Sequence, residues 1–144
     1  MATPLEIAEE WFEHVWNRGS EEAIARLMAP SARFHGLPTP DGSGIVGPDA
    51  FKPFFRQFRE AFPDIRISIE RSVANGEMVA LHCRVTGNHR GAGLGIAPTG
   101  NALDVEGMAM ARIRDGRILE AWNCFDFLAL YGQVGLVQLP GAGR

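Results

Sequence analysis

One acidic residue stands out because of its neighbours. Asp126 lies directly between Phe125 and Phe127. Burying a carboxylate among aromatic side chains costs free energy unless the group is paired or takes up a proton. A raised carboxyl pKa in an apolar pocket is also how an acidic side chain becomes an acid or base near neutral pH. We therefore expect either partial desolvation of Asp126 for acid/base chemistry, or a structural role through simple exposure or an ion pair with Arg112 or Arg84.

Histidine is the second residue type here that could do chemistry. His89 could hydrogen-bond a substrate carbonyl or orient Asp126, or it could satisfy backbone carbonyls of its own loop. His35 could reach the same site from a strand, or be a rim histidine satisfied within the fold. His82 and His14 lie among polar residues and are expected to face outward. The four histidines show no ligand spacing with cysteines or carboxylates, so no metal site is predicted.

Composition limits the classes of partner. The 144 residues fit one domain, residues 1–144, and the hydrophobic content of 46% and charged content of 22% are close to globular averages. A net charge of -3 and a single lysine, Lys52, argue against nucleic acid and anionic membranes. No apolar run could span a bilayer, and no signal peptide is visible. Cys83 and Cys124 are expected to be free core thiols in a reducing, cytoplasmic compartment.

The elements that must position these residues begin with helices. Thr3 and Glu6 form a capping-box pattern, and apolar residues then recur at helical spacing. Ser20 is expected to cap a second helix that stops at Pro30, and a short strand follows at 32–36. After a loop rich in proline and glycine comes a third helix, ended by Pro63, with a phenylalanine stripe at Phe51, Phe54, Phe55, Phe58 and Phe62.

From residue 65 onward the pattern has period two, which is typical of strands. Asn75-Gly76 marks a hairpin turn, and a second strand spans residues 79–86. A glycine-rich loop covers residues 87–100. Two further strands, 108–113 and 118–122, flank a turn at Asp115-Gly116. Helices followed by consecutive antiparallel strands predict an α+β layer fold in which a curved sheet wraps around the helices.

Both faces of the last hairpin contain apolar residues. Trp122 and Cys124 alternate with Ala121 and Phe125, so periodicity does not decide which way Asp126 points. One layer of helices can cover only one face of the sheet. We therefore predict a homodimer that packs through the outer face.

Several short stretches keep an order and spacing that we can match to a known family. They are Phe34-His35, Ala61–Asp64, Thr86–Gly91, Gly95–Gly100, and Arg112–Trp122 followed by Asp126. The chain in this way resembles the SnoaL-like polyketide cyclases, or ester cyclases, of the nuclear-transport-factor-2-like superfamily, from about Ala8 to Val137. It departs from the usual pattern in the loop near the expected pocket mouth, at Asn88, Ala97 and Asn101.

The resemblance implies a cone-shaped fold and a cofactor-free intramolecular aldol closure of a polyketide methyl ester. It assigns the acid/base role to Asp126, and we place His89 beside it as a second catalytic candidate. One carboxylate can remove a proton lying between two carbonyls and return it to the new alkoxide. The rest of the catalysis is holding the reacting atoms together. A small apolar or polyketide-like ligand is expected, with neither metal nor cofactor, and the candidate pocket residues are His35, Trp16, Phe12, Phe55, Trp122 and Arg112.

Two other functions stay open. Another enzyme could use the same scaffold. A ketosteroid-type isomerase would need a tyrosine from the first helix, whereas the only tyrosine is Tyr131. An epoxide hydrolase would need a second carboxylate and an arginine, which Asp104 and Arg112 could supply. The other possibility is a non-catalytic binding or dimerisation module, which a filled cone or an Asp126 held by arginine would favour.

Overall fold

One six-stranded sheet carries the fold. Its strands are β1 (Met28–His35), β2 (Ile45–Val46), β3 (Arg66–Asn75), β4 (Met78–Asn88), β5 (Ala102–Arg114) and β6 (Arg117–Phe125). The computed structural model, which describes residues 1–141, orders them β2-β1-β6-β5-β4-β3. Neighbouring strands are antiparallel except β1 and β6, which pair in parallel. The predicted α+β architecture with a curved sheet is confirmed.

The helices come before, between and after the strands of the sheet. They are α1 (Pro4–Glu10), which continues as a π-helix (Trp11–Asn17), then α2 (Glu21–Leu27), α3 (Pro48–Ala61) and α4 (Phe127–Gln133). The predicted capping box is present, because the Thr3 hydroxyl accepts from the Glu6 backbone N–H at 3.2 Å and Thr3 N–H donates to the Glu6 carboxylate at 3.0 Å. None of the helices within residues 1–141 is long and apolar enough to cross a membrane.

The boundary between α2 and β1 differs from the prediction. The helix ends at Leu27 rather than at Pro30, and β1 begins at Met28. Met28 is buried and pairs with Ile118 of β6, so tertiary pairing ends the helix early. The register of this pair shifts between Met28 and Arg33, and Pro30 lies in that irregular segment. A proline cannot donate to a strand ladder and is tolerated at such a bulge.

The sheet has a covered inner face and an outer face that no helix of the described chain covers. On β4 and β5 buried residues alternate with more exposed ones, as period two predicted. The phenylalanine stripe of α3 is fully buried, and the rings of Trp11 and Phe51 lie 5.1 Å apart beneath the sheet. On the outer face Met108 and Met110 are 60% and 47% exposed. Apolar side chains on both faces, as the sequence indicated, are therefore a property of the folded chain.

The two cysteines lie on opposite faces. Cys83 is buried on β4, whereas Cys124 is exposed on β6, and both thiols are free. The expectation of free thiols is confirmed, but the expectation that both belong to the core is wrong for Cys124. Cys124 shares the outward parity of Trp122, two residues before it on the same strand.

Candidate functional site

An apolar cavity opens beneath the inner face of the sheet. Its empty volume, including the part open to solvent, is about 600 Å³. This volume is within the size range of ordinary ligand sites. Most of the wall is aromatic or aliphatic, and the two lining residues with polar aliphatic side chains are Asn123 and Asp126.

Asp126 lines the cavity just past the end of β6, which ends at Phe125. Continued alternation would have put Asp126 on the outer face with Cys124. Instead the backbone turns (φ -81, ψ 72), and Asp126 becomes the N-cap of α4. One carboxylate oxygen, Oδ1, accepts the Ala129 backbone N–H at 3.0 Å. This bond holds the carboxylate in place while leaving Oδ2 without a partner among residues 1–141.

Asp126 is exposed, so the expectation of partial burial is wrong and the alternative of simple exposure is confirmed. Its flanking phenylalanines line the cavity wall, and Asp126 itself borders both the cavity and an outer polar cleft that includes Arg84 and Asp104. The alternative of an ion pair is also wrong. Arg84 makes two bonds to Asp104, of 2.9 and 2.5 Å, and Arg112 pairs with Glu120 at 3.1 Å.

Two of the predicted pocket residues line the cavity and one supports it. Phe12 and Trp16 belong to the wall, both from the π-helix. Phe55 does not line the cavity. It is buried behind the wall, with its ring centroid 5.3 Å from that of Trp16. Phe55 therefore fixes the orientation of a wall residue rather than reaching the cavity.

Three other predicted pocket residues lie on the outer face, so a direct pocket role is wrong for each. In the parallel β1–β6 pair, His35 stands beside Trp122, and their rings stack at 5.7 Å with an interplanar angle of 21°. Glu120 lies 2.7 Å from His35 Nε2 and 3.1 Å from Arg112. The hydrogen bond from His35, reinforced by Arg112, holds the pKa of Glu120 below its ordinary value. His35, Trp122, Arg112 and Glu120 form one outer cluster.

His89 anchors a loop and does not line the cavity. Its side chain is fully buried, Nδ1 accepts the Thr99 backbone N–H at 3.1 Å, and the Thr99 hydroxyl lies 2.9 Å away. The His89 backbone bonds both Gly100 and Asn101, which closes the loop of residues 89–101. The Nε2 atom is buried without a partner in the described chain. The structure thus does not bring His89 to Asp126, and the loop-anchoring alternative describes its position.

The arrangements required for the other enzyme classes are not assembled in the cavity that residues 1–141 enclose. Asp104 and Arg112 both lie on the outer face, each paired with a different residue. Tyr131 packs against Phe127 from α4, with ring centroids 6.3 Å apart, and burial raises the pKa of its hydroxyl. In the described part of the chain no three histidine, cysteine or carboxylate side chains are grouped to hold a metal ion.

Asn123 is the site residue that the sequence reasoning missed. It is half-buried on β6, lines the cavity, and donates from Nδ2 to the His35 carbonyl at 3.0 Å. It shares the inward parity of Ala121 and Phe125. The alternation of residues along β6 therefore already grouped Asn123 with Ala121 and Phe125. It predicts that Asn123 points into the cavity once the inner face of the strand is known.

Comparison with known proteins places this chain in a family. The chain matches the SnoaL-like polyketide cyclase family over residues 6–134 and belongs to that family. None of the curated proteins matches it.

Solved structures agree with the family and the fold. IdmH of Streptomyces antibioticus, a proposed polyketide cyclase, is 26% identical with a TM-score of 0.80, covering 93% of this chain and 99% of its own. A proposed SnoaL-like polyketide cyclase from Jannaschia sp. CCS1 is 24% identical with a TM-score of 0.79, covering 93% and 92%. A protein from Catenulispora acidiphila with a ketosteroid isomerase-like fold, in complex with trimethylamine, is 16% identical with a TM-score of 0.72, covering 92% and 95%. The nuclear-transport-factor-2-like fold is thereby confirmed.

Proposed function

We propose that this protein is a cofactor-free cyclase that closes a ring in a polyketide-type ester by acid/base aldol chemistry. One observation carries the proposal. Among residues 1–141, Asp126 is the only acidic residue in the wall of the aromatic cavity, and one of its carboxylate oxygens is fixed while the other is free. Family membership supports a cyclase or a related enzyme. The aldol step and the polyketide ester are our inference from the site.

The reaction needs no group beyond this carboxylate. Oδ2 of Asp126 removes a proton from a carbon that lies between two carbonyls, and the electron pair of the broken C–H bond moves into an enolate. The enolate carbon then bonds to a second carbonyl carbon of the same molecule, whose π electrons pass to oxygen. The resulting alkoxide takes the proton back from Asp126, so the enzyme returns to its starting state.

We expect different parts of the substrate to contact different residues of the cavity. The aromatic wall, which includes Trp16 and Phe54, suits an alkyl or aryl end of the substrate. The reacting carbons would then lie beside Asp126. A substrate that covers the mouth also displaces water from the reacting groups, and the fixed geometry favours the intramolecular contact over other conformations.

The first test measures proton removal without knowledge of the natural substrate. Methyl 3-oxooctanoate has an apolar tail and an acidic C2 proton, and its exchange in D₂O can be followed by ¹H NMR. Positioned proton transfer contributes roughly 10²–10⁴-fold to rate, so Asp126→Asn should slow protein-catalysed exchange by about that factor. Asp104→Asn is the matched control, because Asp104 borders the outer cleft but not the cavity.

Two results would contradict the acid/base role. One is exchange by the Asp126→Asn variant at the wild-type rate, and the other is an equal loss in the Asp104→Asn control. Binding of the ester by wild type with no catalysed exchange would instead support a non-catalytic binding module. Ring closure itself is tested with a diketo methyl ester, whose aldol product keeps the mass but has one carbonyl carbon fewer by ¹³C NMR.

We also propose that the chain forms a homodimer through the outer face of the sheet. An exposed row crosses the strands in register: Val73 pairs with Ala80, Ala80 with Met110, and Met110 with Trp122. Val73, Met110 and Trp122 are 72%, 47% and 39% exposed. A contiguous apolar patch of this kind on a monomer favours association. Cys124 lies in the next row and would be covered.

Light scattering at micromolar concentration should give twice the chain mass. Met110→Lys should shift the mass toward that of the monomer, because a charge would be buried in the interface. Leu128→Lys is the control, since Leu128 is 61% exposed but belongs to α4. A monomer mass for the wild-type protein would refute the proposed dimer.

A further inference from the structure

The side-chain amide of Asn123 has a defined orientation. The His35 backbone carbonyl, 3.0 Å away, can only accept a hydrogen bond, so the nitrogen rather than the oxygen of the amide must face it. The contact itself is fixed by tight packing between β1 and β6. A Cβ added at Gly36, where φ is +82, would overlap the Asn123 backbone carbonyl. The chain at the end of β1 therefore packs closely against the Asn123 backbone, and the hydrogen bond to the His35 carbonyl holds the side-chain amide.

This bond uses only part of the hydrogen-bonding capacity of Asn123. An amide has two N–H groups and a carbonyl oxygen. One N–H is donated to His35, and the second N–H and Oδ1 have no partner among residues 1–141. Oδ1, which has no partner, is not sealed away from open space, and the residue lines the cavity. Asn123 thus brings a second N–H and an oxygen without protein partners to the wall where a ligand would lie.

A purely structural role would leave this arrangement unexplained. A structural hydrogen bond from β6 to the His35 carbonyl needs only one donor. The amide of Asn123 has a second N–H, which binds no group among residues 1–141 although the residue is half-buried in an apolar wall. Asn17 shows the difference. It uses both ends of its amide on Ile67, donating to the carbonyl at 3.0 Å and accepting from the N–H at 2.7 Å. Asn17 does not line the cavity, whereas Asn123 does.

We propose that Asn123 binds the carbonyl oxygen of the substrate through its free N–H. The ligand class is a ketone or ester whose carbonyl adjoins the acidic carbon and whose apolar body enters the cavity. This inference rests on the proposed function. When Asp126 takes the proton and the C–H electron pair moves toward oxygen, negative charge grows on the atom that Asn123 contacts. A donor placed there stabilises the transition state more than the ground state.

The binding test compares two probes of nearly the same shape. Acetophenone carries a carbonyl, and α-methylstyrene replaces its oxygen by a CH₂ group. Affinities are read from the fluorescence of the wall tryptophans. Wild type should prefer the ketone, and Asn123→Leu and Asn123→Ala should each reduce that preference by about fivefold, the value of one hydrogen bond. Asn17→Ala is the matched control and should keep the preference while lowering the melting temperature.

The kinetic test uses exchange of methyl 3-oxooctanoate. Loss of a donor to a developing oxyanion lowers the turnover number more than it raises KM, so Asn123→Leu should reduce kcat by about 10²-fold. Equal affinity of wild type for the two probes would overturn the proposal. An unchanged ketone preference in both Asn123 variants would also overturn it.

These outcomes separate the two proposals. If Asp126→Asn abolishes exchange while the Asn123 variants keep both the ketone preference and kcat, the acid/base role stands and the carbonyl-binding role fails. If the ketone preference depends on Asn123 while Asp126→Asn exchanges as fast as wild type, the reverse holds. Should Asn123→Leu not fold, as seen by circular dichroism, the smaller Asn123→Ala variant provides the same comparison.

Discussion

The depth of the cavity depends on a glycine that touches no ligand. Gly107 is buried in β5 and pairs with Phe125 of β6, and the Phe125 ring lies over its α-carbon. A Cβ added at Gly107 would overlap that ring and lie 2.8 Å from Phe125 Cα. Carbon atoms pack favourably at roughly 3.5–4.0 Å, so the ring must move by about 1 Å or more. Because Phe125 lines the cavity, the ring can move mainly into the cavity.

We therefore predict that Gly107→Ala destabilises the fold and narrows the cavity together. Overpacking a well-packed site costs about 1–3 kcal/mol, which would lower the melting temperature by roughly 3–10 °C for a chain of this size. Thermal unfolding by circular dichroism measures the first effect, and the affinity for acetophenone measures the second. Gly44→Ala is the control, because an added Cβ there meets no atom within 4 Å and the backbone has no positive φ.

A second variant tests the cause. If the Phe125 ring is what the new methyl group meets, shortening it by Phe125→Leu should cost less in the Gly107→Ala background than in wild type. The two substitutions would then be non-additive, as expected for residues in contact. Strictly additive free energies of unfolding, or a Gly107→Ala protein with wild-type stability and affinity, would refute the packing argument.

Three more predictions follow from named contacts. Asp126→Ala should unfold more easily than Asp126→Asn by about 1 kcal/mol in urea titrations, because Asn can still cap α4 and Ala cannot; equal stabilities would show that the cap contributes nothing. His89→Ala should lower stability by about 2–4 kcal/mol, since it empties a fully buried site, but leave acetophenone affinity unchanged; weaker binding at wild-type stability would restore a pocket role. Burial raises the pKa of the Cys83 thiol from 9.0 to about 11, so at pH 8 iodoacetamide should leave Cys83 unmodified until denaturant is added, whether or not a dimer covers Cys124. Because the folded-state pKa of Cys83 is the higher one, its contribution to stability is complete below pH 9.0 and declines as the pH rises toward 11. Rapid modification of both thiols in the native protein would contradict this.

The local elements could be predicted because their signals are local. The capping box at Thr3, the turn at Asn75-Gly76 and the stripe on α3 depend on residues a few positions apart, and each is found where expected. The end of α2 was misplaced because Met28 gains burial against Ile118, which lies 90 residues away in sequence. A helix boundary that depends on such a pairing cannot be deduced from caps and breakers alone.

The candidate site was predicted only in part, for a related reason. Phe12 and Trp16 were correctly placed because a helical stripe of aromatics must face the core. His35, Trp122 and Arg112 were misplaced because their face depends on the parallel pairing of β1 with β6. The alternation on β6 did not decide which of its two sets of residues faces the cavity. A shift of one residue exchanges the two faces of a strand.

The sequence by itself determined the classes of element, the family resemblance and the importance of Asp126 as a carboxylate among phenylalanines. The tertiary structure decided where that carboxylate points. Strand parity would have turned Asp126 outward, but β6 ends at Phe125 and the first turn of α4 needs an acceptor for its N–H groups. The hydrogen bond from Ala129 N–H fixes the carboxylate as the cap of α4, and Asp126 lines the cavity together with Asn123. Alternation is a rule for residues within a strand, and it ceases to apply at the residue where the chain leaves the sheet.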